Sequence, residues 1–267
     1  MSDLLRLERG GDDGDVARIT LARPDVRNAF NAQLIAELTA AFHDLADEPP
    51  DALRAVVLAG DGESFCAGAD VTWMRASLEL TVAQNEADAA RLAEMLEVID
   101  ACPVPVIARV QGAALGGGMG LCAVADIVLA TADAAFGFTE TRLGILPAVI
   151  SPFVLARIGE GHARALFPTG ERFGAERAQR IGLVHEVLPD LSALDARLAE
   201  VLVGLDAAGP TAVRAAKAII RDQRGLDGEA RRQLTVQAIA RQRTSAEGQE
   251  GLTSFLDKRS ASWRRDS

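Results

Sequence analysis

The chain contains no tyrosine, and phenylalanine and tryptophan together make up only 4% of its 267 residues. Its core must therefore be built from Ala, Leu, Val and Ile rather than from stacked rings. Lysine is nearly missing as well: Lys217 and Lys258 stand alone among 28 basic residues, the rest being arginine. With 38 acidic residues the net charge is −10, which makes the chain a poor general binder of nucleic acid. The cysteines Cys66, Cys102 and Cys122 are an odd number without metal-ligand spacing, and read as buried free thiols of a reducing compartment. His43, His162 and His185 lie far apart beside no Cys or paired-carboxylate pattern, so neither a metal centre nor a His-based triad has support. No apolar run approaches the ~18 residues of a membrane span. The opening MSDLLRLERGGDDGDV has no apolar stretch of the secretory kind. The expected location is the cytoplasm.

What is present suffices for a substantial core. Hydrophobic residues form 49% of the chain, and its length suits one large domain, or one with a smaller appendage. The alternating VARITL (16–21) and apolar RAVVLA (54–59) read as strands, with a turn-like RPDVRN (23–28) after the first. A helix is expected over 31–47, where Leu34, Leu38 and Phe42 recur at helical spacing and Pro49-Pro50 ends the run. A second spans 80–101, with Leu92, Met95, Leu96 and Ile99 as its apolar stripe. Strands follow near 105–110, 126–131 and 135–138, then a helix over 152–158 and a strand in VHEVLP (184–189). From Ser192 the pattern is helical, over 192–207, 210–223, 228–246 and 248–260. Alternating strands and helices over 1–190 argue for an α/β core with largely parallel strands. The helical remainder, 191–267, is an appended module whose amphipathic stripes need a surface to cover.

Two glycine-containing loops follow apolar strands: SFCAGAD (64–70) and GAALGGGMG (112–120). In the second, Gly116-Gly117-Gly118 bares backbone N–H groups where a helix is about to begin, a place suited to developing negative charge. Two such donors converging on one oxygen form an oxyanion hole. The competing reading of each loop alone is a tight turn that needs glycine for positive φ. A dinucleotide-binding reading is weaker, because the glycines lie late in the chain and no acid follows at the required distance.

Taken together, the segments resemble the crotonase superfamily, the enoyl-CoA hydratase/isomerase family. FCAGAD is similar to its first oxyanion loop, and VQGAALGGGMGLCAVADIVLA to its second loop and following helix. FGFTETRLGILP (136–147) resembles the segment with a catalytic glutamate, QEGLTSFLDKR (249–259) the C-terminal helix, and RPDVRNAF (23–30) the first CoA-contacting loop. The resemblance implies an α/β fold, a crotonase-like ββα superhelix with a helical C-terminal region at 191–267 that builds homotrimers, often paired into hexamers. It places the oxyanion donors at the N–H groups of Ala69 and Gly117 and the catalytic carboxylate at Glu140. Phe136, Phe138, Leu143 and Ile145 are expected to surround that carboxylate and raise its pKa. Acyl-CoA contacts fall on Arg27, Ala29, Ala67, Asp70, Trp73 and Gly116. Of these, Asp70 is expected to hold its loop more than touch substrate, and Arg27 to meet a CoA phosphate. Phe255 and Lys258 match residues that reach the CoA of an adjacent subunit in trimeric members. An ordinary surface residue is the competing reading for Arg27 and Lys258. Coenzyme A enters as part of the substrate; no metal or separate cofactor is implied.

One departure is plain. Many hydratases of this family carry a glutamate two residues after the triple glycine, where this chain has Gly120. Four outcomes stay open: Glu140 shuttling a proton between carbons, Glu140 serving as base and then acid with water, another carboxylate such as Glu86 or Asp88 entering the site, or weak catalysis. ADVTWM (69–74), ETRLGILPAVISPFVLARIG (140–159) and PTGERFGAERAQRIGLVHEVLP (168–189) further resemble a bacterial subgroup. That subgroup comprises methylglutaconyl-CoA and carboxygeranoyl-CoA hydratases of leucine and acyclic-terpene breakdown. A distal carboxylate on such substrates would want a cation, for which Arg75 and Arg142 are candidates. The expected function is hydration of an α,β-unsaturated acyl-CoA of the 3-methylglutaconyl kind. The alternatives are Δ3,Δ2-enoyl-CoA isomerisation with the single glutamate, and a non-catalytic acyl-CoA-binding or RNA-associated relative.

Overall fold

The computed structural model describes residues 4–11 and 14–264. Along the chain run β1 (Leu5–Gly10), β2 (Val16–Leu21), α1 (Ala32–Ala46), β3 (Ala55–Gly60), α2 (Val71–Ser77), α3 (Val82–Asp100), β4 (Val106–Val110), β5 (Ala113–Leu115) and α4 (Gly117–Val124). There follow β6 (Ile127–Thr131), β7 (Ala135–Gly137), α5 (Ser151–Thr169), β8 (Arg172–Gly174), α6 (Ala175–Arg180), β9 (Glu186–Leu188), α7 (Leu191–Asp206), α8 (Pro210–Asp222), α9 (Gly228–Thr244) and α10 (Ala246–Leu256). Single 3-10 turns stand at Pro24–Val26 and Thr139–Leu143.

The larger sheet has six strands in the order β1-β2-β3-β4-β6-β9. Only the β1–β2 pair is antiparallel; from β2 onward every neighbour is parallel. Parallel neighbours require covered faces on both sides. β3 meets that demand with AVVLAG, buried at every position. Val56 and Leu58 join the main core with α1, α3 and α4, whereas Ala55 and Val57 meet Leu194 and Leu198 of α7 on the opposite face. The first of the C-terminal helices thus closes the outer side of the sheet. Helix α1 starts where the Asn31 side chain accepts from the Leu34 N–H and buries Leu34, Ile35, Leu38, Phe42 and Leu45 on one face. Each such side chain contributes about 1.5–3 kcal/mol of transfer free energy.

The smaller sheet, β5-β7-β8, is fed by the larger one. The chain leaves β4 for β5 and leaves β6 for β7, so successive turns add one strand to each layer and then a helix. Isolated parallel bridges carry the same pairing outward, Cys66 to Ala114 and Phe30 to Ala69. The α/β architecture with a helical C-terminal region is therefore present as the resemblance implies. Lys217 on α8 has a structural post: its Nζ donates to Asp126 at 2.6 Å and to the Val104 carbonyl at 3.0 Å, while Asp126 also accepts from the Val106 N–H. This ties the C-terminal helices to the sheet.

Several elements depart from the sequence pattern. β1 is an edge strand with charged, half-exposed positions, so it carries little hydrophobic signal. Gly159, at φ 74° and ψ 162°, breaks α5 into two helical halves, of which only the first matches the expected 152–158. The second half buries Ala163 and Leu166, and α6 after it is only six residues long and buries two alanines.

Gly112 occupies the crossover from β4 to β5 at φ +58°, and a Cβ there would stand 1.9 Å from the carbonyl oxygen of Glu63. Gly112→Ala must displace that backbone as well as strain its own. We expect a loss of at least about 2 kcal/mol in urea unfolding. A loss under about 0.5 kcal/mol would contradict this packing.

Candidate active site

The first glycine loop is held by its neighbours rather than by itself. Phe30 N–H donates to the Gly68 carbonyl at 2.7 Å and Asp70 N–H donates to the Phe30 carbonyl at 2.8 Å. Ala69 lies between these two bonds, so its own N–H faces the other way, as alternate residues of a strand do. Gly68 takes φ +100°, which turns the chain at this point. The second loop reaches the same place. Gly116, at φ 50° and ψ −116°, precedes α4 with no side-chain cap. Gly117 opens α4, and an N–H in the first turn of a helix has no partner inside it. Among the described residues neither Ala69 nor Gly117 donates to a backbone carbonyl across the loops. The two loops touch: a Cβ on Gly68 would lie 3.1 Å from the Leu115 carbonyl oxygen, and one on Gly116 would lie 3.8 Å from the Gly68 Cα.

Glu140 joins this pair of loops from a third turn of the superhelix. It sits in the 3-10 turn that follows β7, held to α5 by a 2.8 Å hydrogen bond from Thr141 Oγ1 to the Phe167 carbonyl. A Cβ on Gly116 would stand 3.5 Å from Glu140 Oε1, so the carboxyl lies over the glycine. Its Oε2 is buried and without a hydrogen-bond partner. Burial raises the Glu140 pKa above the ordinary glutamate value, and its own backbone N–H offsets this only in part. The apolar surroundings differ from those expected. Phe136 and Phe138 are buried nearby, but Leu143 and Ile145 are exposed and do not wall the carboxyl.

The place of the missing acid is filled. A Cβ on Gly120 would lie 2.6 Å from Cγ2 of Ile150 and 3.4 Å from Cδ1 of Leu96. Gly120 lies in the first turn of α4, three residues after Gly117. Ile150 and Leu96 thus occupy the space a side chain at position 120 would take. The other two candidates do not supply a second carboxylate: Glu86 is exposed on α3, and Asp88 is paired with Arg91 on its own helix.

The remaining expected residues divide into two groups. Asp70 is a loop anchor. It accepts from the Thr72 N–H at 2.7 Å and from Arg23 Nη2 at 2.7 Å. Burial alone would raise the Asp70 carboxyl; the Arg23 hydrogen bond, the Thr72 N–H and the Arg23 charge outweigh it and hold the pKa below the usual carboxylate value. Ala29 is buried, and Ala67 donates to the Arg27 carbonyl at 2.9 Å, so both line the seam between the first loop and residues 23–30. Trp73 packs half-buried against the core from α2, and the Arg27 side chain is exposed. Phe255 is 80% exposed on α10, which packs on α8 and α9, and Lys258 follows it in a left-handed conformation. Sequence reasoning missed Arg23, Phe30 and Ile150. The first two stand inside RPDVRNAF, a segment weighed only for CoA contact. The cysteines are buried and free, with the Cys66 thiol pushed up to about 12 by burial, which leaves it unreactive.

The family model for enoyl-CoA hydratase/isomerase matches residues 11–266. A probable enoyl-CoA hydratase of Rhodobacter capsulatus is 38% identical over 253 residues, covering 91% of this chain and 92% of its own. A putative enoyl-CoA hydratase of Thermus thermophilus is 32% identical, with 93% and 97% covered. Among solved structures, AtuE of Pseudomonas aeruginosa superposes with a TM-score of 0.93 at 38% identity, over 98% of this chain and 100% of its own. An enoyl-CoA hydratase of Shewanella pealeana gives 0.91 at 35% identity, over 97% and 96%.

The filled wall at Gly120 yields a direct test. Gly120→Glu must push Ile150 aside and bury a carboxyl, with overpacking alone costing about 1–3 kcal/mol. We expect a lowered melting temperature that Ile150→Ala largely restores in the double variant. Equal melting temperatures for Gly120→Glu and the parent would show that Ile150 does not hold this space.

Proposed function

This chain belongs to the enoyl-CoA hydratase/isomerase family, and on that premise we propose that it adds water to an α,β-unsaturated acyl-CoA with Glu140 as the single acid–base group. The observation that carries this reading is the partnerless, buried Oε2 of Glu140 set over Gly116, beside two backbone N–H groups left without acceptors. The thioester carbonyl accepts from the N–H groups of Ala69 and Gly117. The Glu140 carboxylate takes one proton from water as the oxygen bonds to Cβ. The electron pair of the double bond moves toward the carbonyl, giving an enolate whose oxygen the two donors stabilise by roughly 3–4 kcal/mol each. The protonated Glu140 then returns its proton to Cα. One carboxyl serves both steps on one face of the double bond, so the absence of an acid at position 120 does not interrupt the balance. A raised pKa suits a group that must act first as base and then as acid. These proton transfers use Glu140 and water, with coenzyme A entering as part of the substrate.

For the acyl group we favour a 3-methylglutaconyl type. The support is the likeness of segments 69–74, 140–159 and 168–189 to that subgroup, together with Arg75 and Arg142. Both are exposed arginines, one on the helix after Ala69 and the other two residues beyond Glu140, and either suits a distal carboxylate. For the assembly we favour a homotrimer, in which Phe255 and Lys258 reach the coenzyme A of a neighbouring subunit. The exposed Leu252, Phe255 and Leu256 of α10 support it.

A single carboxyl also fits Δ3,Δ2 isomerisation, in which Glu140 would carry a proton from Cα to Cγ. Parallel assays of crotonyl-CoA, 3-methylglutaconyl-CoA and a 3-enoyl-CoA decide between the two. Hydration of either 2-enoyl substrate is expected, and turnover of the 3-enoyl substrate alone would overturn the proposal. Glu140→Gln should reduce hydration at least about 100-fold, in the range general acid–base groups supply. In the parent, kcat/KM should fall on the acid side with a midpoint above the ordinary glutamate value, because the base form is required. The same burial acts on stability with a definite sign. A carboxyl whose folded pKa is raised favours the folded state only while protonated, so stability falls as pH rises through that pKa. Glu140→Gln should therefore be more stable than the parent at neutral pH and equal to it well below the ordinary glutamate pKa, as read by chemical denaturation.

A further inference from the structure

Neither oxyanion loop fixes its own donor; residues 23–30 stand between them. Phe30 is bonded through its backbone to Gly68 and Asp70, on either side of Ala69, at 2.7 and 2.8 Å. Its ring, 1% exposed, lies against the second donor: a Cβ on Gly117 would be 2.7 Å from Cδ2 and Cε2 of Phe30. One residue thus touches both donor peptides. Arg23 adds a second brace, donating through Nη2 to Asp70 Oδ2 at 2.7 Å and through Nη1 to the Ala29 carbonyl. The loop is itself stiff. Asn28 is fully buried at φ 56°, where its Oδ1 accepts from the Arg23 N–H at 2.9 Å. Its Nδ2 donates to the carbonyls of Asp61 and Ser64 at 2.8 and 2.7 Å.

We propose that Phe30 and Arg23 are positioning residues for catalysis: together they set the separation of the Ala69 and Gly117 N–H groups to that of a single enolate oxygen. The inference rests on the reading of Ala69 and Gly117 as oxyanion donors. Its physical basis is that a preorganised donor stabilises charge only at hydrogen-bond distance, and a misplacement of about 1 Å can cost on the order of 100-fold in rate. The packing shows how the distance is kept. The Phe30 ring fills the side of Gly117 where a Cβ would stand, and Ala69 cannot swing outward without breaking the Phe30 backbone pair or the Arg23–Asp70 bond.

The test uses the full-length protein with butanoyl-CoA, a saturated thioester that binds without being hydrated. Its carbon-13-labelled carbonyl stretch is read by difference infrared spectroscopy, alongside kcat and KM for crotonyl-CoA. In the parent protein the stretch should move to lower frequency on binding. Arg23→Ala should lose a large part of that shift, with kcat falling on the order of tenfold and KM changing less than about twofold, the signature of interaction lost in the transition state. Arg23→Lys, which keeps a cation on Asp70, should recover part of both. Phe30→Leu should behave as Arg23→Ala does, and if it fails to fold, Arg23→Ala decides alone. No shift in the parent would show that Ala69 and Gly117 do not hold the carbonyl, and the oxyanion reading would fall together with the proposal. A shift in the parent that folded Arg23→Ala keeps in full, with unchanged kcat, would leave the oxyanion hole standing and overturn the positioning role.

Discussion

Folded chains seldom leave backbone N–H groups without partners, because a buried one forfeits a hydrogen bond that water would have made. Among the described residues the N–H groups of Ala69 and Gly117 are two such groups, carried by loops that touch. Each belongs to a different turn of the superhelix. The turns must approach closely enough for their backbones to touch: a Cβ on Gly118 would stand 2.4 Å from the Cys66 carbonyl oxygen and one on Gly68 3.1 Å from that of Leu115, while Gly116 is set apart by its φ of +50°. The glycines of the two loops are thus required by contact as much as by φ. The apolar strands behind them, buried on both faces, supply the rigid frame that fixes the loops.

Much of this was legible in the sequence, for identifiable reasons. The strands β2, β3, β4 and β6 and helix α1 are strongly patterned, and their boundaries fall within a residue or two of those read from periodicity. The triple glycine announced a helix start with bare N–H groups, and the chain places Gly116 and Gly117 there. What stayed hidden depended on contacts between distant residues. No periodicity could show that the ring of Phe30 seats on Gly117, or that Arg23 reaches Asp70 across 47 positions. Leu143 and Ile145 neighbour Glu140 in sequence and read as walls of the carboxyl, yet both are exposed, one at the end of the 3-10 turn and the other beyond Gly144. Lys217 drew notice by rarity alone, and its part became visible only with Asp126 and Val104 beside it.

The departure at Gly120 has a physical complement that composition cannot reveal. The loss of a side chain at one position is matched by Ile150 and Leu96 closing in from elsewhere. Position 120 is thus closed by apolar side chains where many relatives carry an acid. Burial keeps Glu140 poorly solvated, and position 120 adds no like charge. In the proposed reaction the developing charge rests on backbone dipoles, which do not titrate.

The layered winding has a consequence for how this protein comes to be active. Its sheet neighbours lie far apart along the chain: Val16 pairs with Ala55, Val56 with Val106 and Leu129 with Glu186. Parallel pairings of such long sequence separation close large loops before any contact rewards them, and chains built this way fold slowly. Ala69, Gly117 and Glu140 come from three successive turns, so no shorter fragment of the winding holds all three. A partly wound chain has the core residues and the glycines without bringing these three residues together.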